Sequence, residues 1–297
     1  MKLLVTGREG QLARGLAETA GAGVQVIAIG RPELDLADKT SVAAAVARER
    51  PDVVVNAAAY TAVDKAETEP AVAHAVNALG AEHVATACAA NAIPIIHIST
   101  DYVFDGTKDG PYVEDDPTTP INVYGRTKLE GERHVADACE RHLILRTAWV
   151  HSPWGVNFVK TMLRLATTRP SIGVVDDQKG SPTYAPHLAA TVLAIAARVA
   201  ADPAGVRWGV YHAVGGGETT WFGFAREVFR HAAEQGLAAA DVTAIAAAAY
   251  PTLARRPANS RLNCDRLREL LGLELPDWQV GVHDCVARIS RSMQQQT

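Results

Sequence analysis

The segment Tyr124-Gly125-Arg126-Thr127-Lys128 places a phenol and an amine four residues apart. On a helix such residues share one face a turn apart, so both groups can point into one pocket. A phenol exchanges protons poorly near neutral pH because its unperturbed pKa is ~10, and a neighbouring positive charge lowers that value. Lys128 is expected to supply that charge to Tyr124. Of the seven tyrosines only Tyr124 has a lysine four positions on; an exposed accident of composition is the alternative.

A second polar group stands where an apolar run stops. His97-Ile98-Ser99-Thr100-Asp101-Tyr102-Val103-Phe104 ends abruptly in hydroxyls and a carboxylate. Ser99 and Thr100 are suited to donate hydrogen bonds to a substrate oxygen, and Asp101 to accept one from a sugar hydroxyl. Strand-end capping by the same hydroxyls is the alternative.

A third group is suited to an anion. Thr6-Gly7-Arg8-Glu9-Gly10-Gln11-Leu12-Ala13 follows an opening strand pattern and begins a helical one. Glycine is needed where a backbone turns sharply and where a pyrophosphate approaches the main chain without a Cβ in the way. The N–H groups at the helix start then meet the anion. Gly7 and Gly10 fit those roles, and Ala13 still allows close helix–strand packing. Small residues in Asn56-Ala57-Ala58-Ala59-Tyr60-Thr61 leave room for a flat adenine and ribose at a strand's carboxyl end, or simply pack tightly.

These groups need a scaffold that brings strand ends together. Short β-branched runs at Leu3–Thr6, Val24–Ile29, Val53–Asn56, Ile95–Ser99 and Leu143–Thr147 alternate with helical patterns at Leu12–Thr19, Ser41–Arg48, Val72–Ala89 and Tyr124–Ala138. That alternation predicts an α/β fold: a Rossmann-like, doubly wound parallel sheet over residues 1–150. After Trp149 prolines interrupt the pattern more often, so residues 151–297 are expected to form mainly a smaller α/β substrate-binding lobe. Helical stretches at Leu188–Ala200 and Trp221–Gln235, with a strand at Val210–Val214, suggest that segments near 185–235 return to the first domain. The alanine-rich patches at Val42–Val46 and Ala238–Ala249 read as closely packed helix or loose connector, and the polar tail Gln294–Thr297 is expected to fray.

Composition narrows the function. The 297 residues are 48% hydrophobic and 21% charged, enough apolar content for a full core without staples. The net charge of −4, with both signs mixed, gives no basic stripe for nucleic acid or an anionic membrane. No apolar run has the length of a membrane span and the opening run is too short for a signal peptide, so a cytoplasmic protein is expected. Cys88, Cys139, Cys264 and Cys285 lie far apart without zinc spacing and read as reduced thiols; no metal site is expected.

Together, Thr6–Leu12, Asn56–Asp64, Ser99–Phe104, Asn122–Lys128 and Arg146–Val150 resemble the dTDP-4-dehydrorhamnose reductase family of extended short-chain dehydrogenases. The resemblance continues through Asn157–Leu165, Asp177–Thr183, Gly215–Trp221 and Arg256–Asn263, nearly the whole chain. It implies NAD(P)H-dependent reduction of the C4 keto group of a dTDP-sugar. Thr100 would orient the keto oxygen, Tyr124 would protonate the C4 oxyanion, and Lys128 would tune Tyr124 and hold the cofactor ribose. Gly10, Gln11, Leu12, Asp35, Leu36, Ala59, Tyr60 and Thr61, with Gly7 and Ala58 beside them, would line the cofactor. Thr100, Asp101, Tyr102 and Trp149 would meet the sugar nucleotide, joined by Arg256, Asn259 and Arg261, for which a surface salt bridge is the alternative.

Two further expectations depend on particular residues. NAD-strict dehydrogenases usually carry an acidic residue at the end of the second strand, whereas here Ile29 is followed by Gly30-Arg31. Arg31 is suited to a 2′-phosphate, so NADPH is expected to be preferred and NADH also used. Some family members form a magnesium-bridged dimer through glutamates; the corresponding stretches here read Ala13-Arg14-Gly15 and Ala185-Pro186-His187. A homodimer, if formed, is therefore expected to lack a bridging metal. Reduction or epimerisation of another nucleotide-deoxysugar, and a non-catalytic regulatory subunit of the same fold, remain the competing functions; Thr100, Tyr124 and Lys128 together argue against the last.

Overall fold

The computed structural model describes residues 1–295, and its centre is one six-stranded parallel sheet. In chain order the first five strands are β1 (Lys2–Thr6), β2 (Gln25–Ile29), β3 (Val53–Asn56), β4 (Ile95–Thr100) and β5 (His142–Thr147). The second half contributes β6 (Val150–His151), β7 (Ser171–Val175), β8 (Lys179–Gly180), β9 (Thr183–Tyr184), β10 (Gly209–His212), β11 (Thr219–Thr220) and β12 (Asp241–Ile245). The main sheet runs β10-β5-β4-β3-β1-β2, all parallel. Its inner strands are near-continuous Val, Ile and Leu because both faces are covered.

The helices are α1 (Gln11–Thr19), α2 (Lys39–Glu49), α3 (Val63–Ala66), α4 (Pro70–His74), α5 (Gly80–Ala90), α6 (Val123–Ala138), α7 (Phe158–Ala166), α8 (Ala185–Ala201), α9 (Trp221–Glu234), α10 (Asp265–Leu271) and α11 (Trp278–Gln294). One sheet face packs under α1, α8 and α10, through Leu12, Leu16, Leu188, Val192, Ile195 and Leu267. The other packs under α2, α5 and α6, through Val42, Val46, Val84, Cys88 and Val135. This is the doubly wound α/β arrangement read from the sequence. The chain returns to it after Trp149, since α8 lies on α1 and β10 pairs with β5. A separate core of Val159, Ile172, Phe224, Val228, Trp278 and Val282 joins α7, α9 and α11 to the β7–β12 pair.

Two local expectations are corrected, and one on the tail falls largely outside the described residues. The helix expected over Val72–Ala89 is interrupted by a π turn at Ala75–Leu79, which turns Asn77 toward Tyr60 and Thr127. Residues 238–249 begin as a connector and are not one helix. They include strand β12, where Val242 and Ile245 are half-buried and β7 supplies every ladder partner, followed by a short turn at Ala247–Ala249. Tertiary pairing overrides the helical propensity of alanine there. In the polar tail, helix α11 continues through Gln294; Gln296 and Thr297 lie outside the described residues. Among the described residues no helix is long and apolar enough to cross a membrane, and all four cysteines are free thiols.

Candidate active site

Strand β1 lies between β2 and β3, so the connections from its neighbourhood diverge and open a crevice at the strands' carboxyl ends. A cleft of about 1210 Å³ occupies this crevice and continues to the second lobe. That exceeds the ~300–1,000 Å³ of ordinary single-ligand pockets, leaving room for two ligands side by side.

At one end the cleft meets the start of α1. Gly7 has a φ of +90° and a Cβ there would come within 3.2 Å of the Ala58 Cβ, so the turn after β1 depends on glycine. Gly10 is the N-cap of α1, and nothing lies within 4 Å of where its Cβ would be. The first turn of α1 carries no acidic residue, and the first intrahelical bond is from the Arg14 N–H to the Gly10 carbonyl. The preceding N–H groups therefore offer a partial positive charge to an anion. These features fit a dinucleotide's pyrophosphate, on residues the chain itself provides.

Gly7, Gly10, Gln11, Leu12, Arg31, Asp35, Leu36, Ala58, Ala59 and Thr61 all line the cleft. Tyr60 does not: its hydroxyl donates to Glu69 at 2.6 Å, and Asn77 holds its backbone N–H and carbonyl from the other side. Gln11 also ties the lobes together, donating to the Val150 carbonyl and accepting from Ser152 and Asn157. Arg31 is exposed and its guanidinium has no partner among the described residues, whereas Arg8, which the sequence reading did not single out, pairs with Glu33 at 2.9 Å. That pairing holds the Glu33 carboxyl below its usual range.

In the middle of the cleft, β4 and α6 bring Thr100, Tyr124 and Lys128 together. Asn122 caps α6 by accepting from the Gly125 N–H at 2.7 Å and donating to the Arg255 carbonyl. Gly125 lets the helix start lie against the Tyr102 carbonyl, where a Cβ would be only 2.1 Å from the oxygen. The Thr100 hydroxyl donates to Asp101 Oδ1 at 2.8 Å and accepts from the Tyr102 N–H. The Tyr102 ring meets the Tyr124 ring edge-on, with centroids 5.9 Å apart.

Burial dominates the protonation of this group. It pushes the Tyr124 phenol well above the usual tyrosine range, with the Asp101 and Tyr102 charges adding to it and a hydrogen bond from Thr100 opposing it. It lowers Lys128 to about 8, opposed by Glu132, and raises Asp101 to about 6. The Lys128 ammonium donates to the Ile98 carbonyl at 2.7 Å, and desolvation is the largest influence on the phenol. A neutral phenol is the form that can give up a proton. Ser99 is corrected, since its buried hydroxyl donates to Glu132, which pairs with Arg146 at 2.7 Å.

At the far end Trp149, with a φ of +46°, stacks on Trp221 at 3.5 Å and 7°, and both rings line the cleft. Asp101, which Thr100 and Ser260 hydrogen-bond, lines the cleft with Thr147 and Arg256. Arg256 also pairs with Asp64 at 2.9 Å. Asn259 and Arg261 are not brought to the cleft. Asn259 donates to the Lys108 and Gly110 carbonyls, bracing that loop, and Arg261 forms an ion pair with Glu218. Trp221 and Thr147 were missed as site residues, although both fall within segments that carry the family resemblance. Among the described residues no cluster of three or more His, Cys, Asp or Glu is arranged for a metal.

Comparisons with known proteins bear on this geometry. Residues 1–291 match the family model described as the RmlD substrate binding domain. A dTDP-4-dehydrorhamnose reductase of Sinorhizobium fredii is 50% identical over 279 residues, covering 94% of each chain. That of Escherichia coli K12 is 46% identical over 288 residues, covering 95% of this chain and 96% of its own. The crystal structure of the Bacillus anthracis dTDP-4-dehydrorhamnose reductase in complex with NADP superposes with a TM-score of 0.90 at 34% identity, covering 97% of this chain and 99% of its own.

Proposed function

The chain belongs to the RmlD family, which holds its dTDP-4-dehydrorhamnose reductase relatives, and on that premise we propose how its residues share the work. The protein is an oxidoreductase that converts dTDP-4-dehydro-β-L-rhamnose to dTDP-β-L-rhamnose, the last step of dTDP-rhamnose synthesis. Its cofactor is NAD(P)H; the exposed Arg31 after β2 supports NADPH as the preferred form, with NADH accepted. Bound in the cleft, that cofactor supplies the hydride that C4 receives.

The protein's own contribution is orientation and a proton. Gly7, Gly10, Gln11 and Leu12 take the pyrophosphate at the α1 start; Asp35, Leu36, Ala58, Ala59 and Thr61 flank the adenine side; Arg31 meets the 2′-phosphate. The Thr100 hydroxyl orients the C4 keto oxygen. Tyr124, kept neutral by burial, donates its proton to the developing C4 oxyanion. Lys128 holds the cofactor ribose and presents its positive charge to the phenolate left behind. Asp101, Tyr102, Trp149 and Arg256 receive the sugar nucleotide, and their common place in the cleft lining supports that assignment.

The observation that carries this reading is the convergence of Thr100, Tyr124 and Lys128 with the open α1 start in one cleft. Its test is NADPH oxidation with and without dTDP-4-dehydrorhamnose, for the parent and Tyr124→Phe. Turnover is expected only with that substrate, and the variant should lose ~10²–10⁴-fold in kcat with cofactor affinity kept. A Tyr124→Phe enzyme within threefold of the parent would remove the phenol from the mechanism. The reading carries with it a cytoplasmic enzyme with no nucleic-acid or membrane partner. A homodimer of it would have no bridging metal, since Ala13-Arg14-Gly15 and Ala185-Pro186-His187 carry no carboxylate.

A further inference from the structure

A row of polar side chains crosses the buried sheet beneath the catalytic lysine. Thr6 on β1 is in register with Asn56 on β3, and Asn56 with His97 on β4, so the three project from the same face at one level. Each is about 1% exposed. The Thr6 hydroxyl lies 2.7 Å from Asn56 Oδ1, Asn56 Nδ2 lies 3.0 Å from His97 Nδ1, and His97 Nε2 lies 3.4 Å from Lys128 Nζ. Thr6 Oγ1 also accepts from the Ala58 N–H. The row thus links Lys128 to both turns at the cofactor end, after β1 and after β3. The neighbouring sheet positions are Val, Leu and Ile, so a polar row here costs stability unless every member is paired and put to use.

We propose that His97 is a positioning residue for Lys128: an Nδ1–H imidazole, oriented by Asn56, whose Nε2 lone pair accepts from the lysine ammonium and holds it beside the Ile98 carbonyl. Counting protons leads there. A charged lysine has only donors, and a neutral imidazole has one donor and one acceptor. If Asn56 pointed its amide N–H at Nδ1, the ring proton would sit on Nε2 and face the ammonium, donor against donor. With the amide turned over, which its shape permits, Asn56 Oδ1 accepts from Nδ1–H and Nε2 is free for Lys128. Thr6 Oγ1 then accepts from both Asn56 and Ala58 and keeps its own proton for the cleft it lines. Burial and the Lys128 charge both favour the neutral ring. The other ionisable groups whose charges act on the pair are Glu132 on α6 and His142 at the start of β5.

The inference rests on the reductase reading for Lys128, so one test avoids turnover. In the NADP⁺ complex of ¹⁵N-histidine-labelled protein, with the His97 resonance assigned by its loss in His97→Gln, the ring should be neutral with the proton on Nδ1 at pH 6.5. A proton on Nε2, or an imidazolium, overturns the proposal whatever the enzyme's substrate. The second test is the pH profile of kcat/KM. Burial lowers Lys128 to about 8, so the alkaline limb is expected to follow its deprotonation. Deleting the acceptor in His97→Phe should move that limb down by about one unit, roughly tenfold in activity at pH 8.5, since a hydrogen bond to a charged group is lost. His97→Gln, which keeps an acceptor, should restore most of the shift. A folded His97→Phe whose profile superposes on the parent's overturns the proposal, and so does a shift that His97→Gln leaves uncorrected.

Discussion

Gly125, between the two catalytic candidates, tests whether the start of α6 must lie against the Tyr102 carbonyl for catalysis. A Cβ at Gly125 would be 2.1 Å from the Tyr102 oxygen and 2.9 Å from Pro120 Cβ, about 1.3 Å short of ordinary contact with the carbonyl. Neither neighbour is a flexible side-chain end. Relief must come from separating the α6 N-terminus from residues 101–103, the segment that sets Thr100 and Asp101 against Tyr124. Alanine is favoured over glycine by ~1 kcal/mol in a helix, while overpacking costs ~1–3 kcal/mol. The net stability loss in Gly125→Ala should therefore be small, about 0–2 kcal/mol, or at most a few degrees in Tm for a chain of this size. The catalytic loss should be large, because a displacement of ~1 Å in a positioned site can cost ~10²-fold. Gly131→Ala is the comparison: on the same helix its Cβ would be 2.2 Å from the Asn77 carbonyl, away from Tyr102. Thermal melts and steady-state kinetics on both variants should show similar Tm losses and a much greater kcat/KM loss for Gly125→Ala. Parent-like kcat/KM in Gly125→Ala would falsify the argument from close approach.

Asp101→Asn should raise Tm at pH 8 while lowering activity. Burial lifts the Asp101 pKa to about 6, above the 3.8 of an unperturbed aspartate, so the fold prefers the protonated carboxyl: that stability is full below 3.8 and lost as pH rises through about 6. The carboxylate's penalty is then of order 3 kcal/mol at pH 8 and about half that at pH 5; a Tm gain equal at both pH values would show that charge is not its cause. Arg31→Ala should lower the NADPH/NADH ratio of kcat/KM by ~10–100-fold, the worth of a charged hydrogen bond, and an unmoved ratio would leave the 2′-phosphate to another residue such as Arg8. Treatment with EDTA should leave activity unchanged; loss on chelation, restored by magnesium, would reveal a metal role that Ala13-Arg14-Gly15 and Ala185-Pro186-His187 do not suggest.

What could be read in advance followed from local rules. The i, i+4 spacing of Tyr124 and Lys128, the glycine turn after β1 and the hydroxyls ending β4 are each contained in a few consecutive residues, and the alternation of patterns placed them at one sheet edge. What could not be read depended on partners far along the chain. Tyr60 looked like part of the adenine wall until Glu69 and Asn77 drew it aside. Ser99 belongs to the Arg146–Glu132 pair, and Arg261 to Glu218. The Trp149–Trp221 stack joins residues 72 positions apart. The Thr6–Asn56–His97 row needed strand register, because a one-residue slip turns a side chain to the opposite face.

The perturbed groups of the cleft share one cause with opposite consequences. Desolvation disfavours charge, so it raises Tyr124 and Asp101 and lowers Lys128. For a reductase this is a usable set: the phenol arrives with its proton, and the lysine retains most of its charge at neutral pH. A ligand that excludes water from the cleft would strengthen the electrostatic interactions there, so on the proposed reading a charge forming on C4's oxygen would be felt more strongly by Thr100, Tyr124 and Lys128.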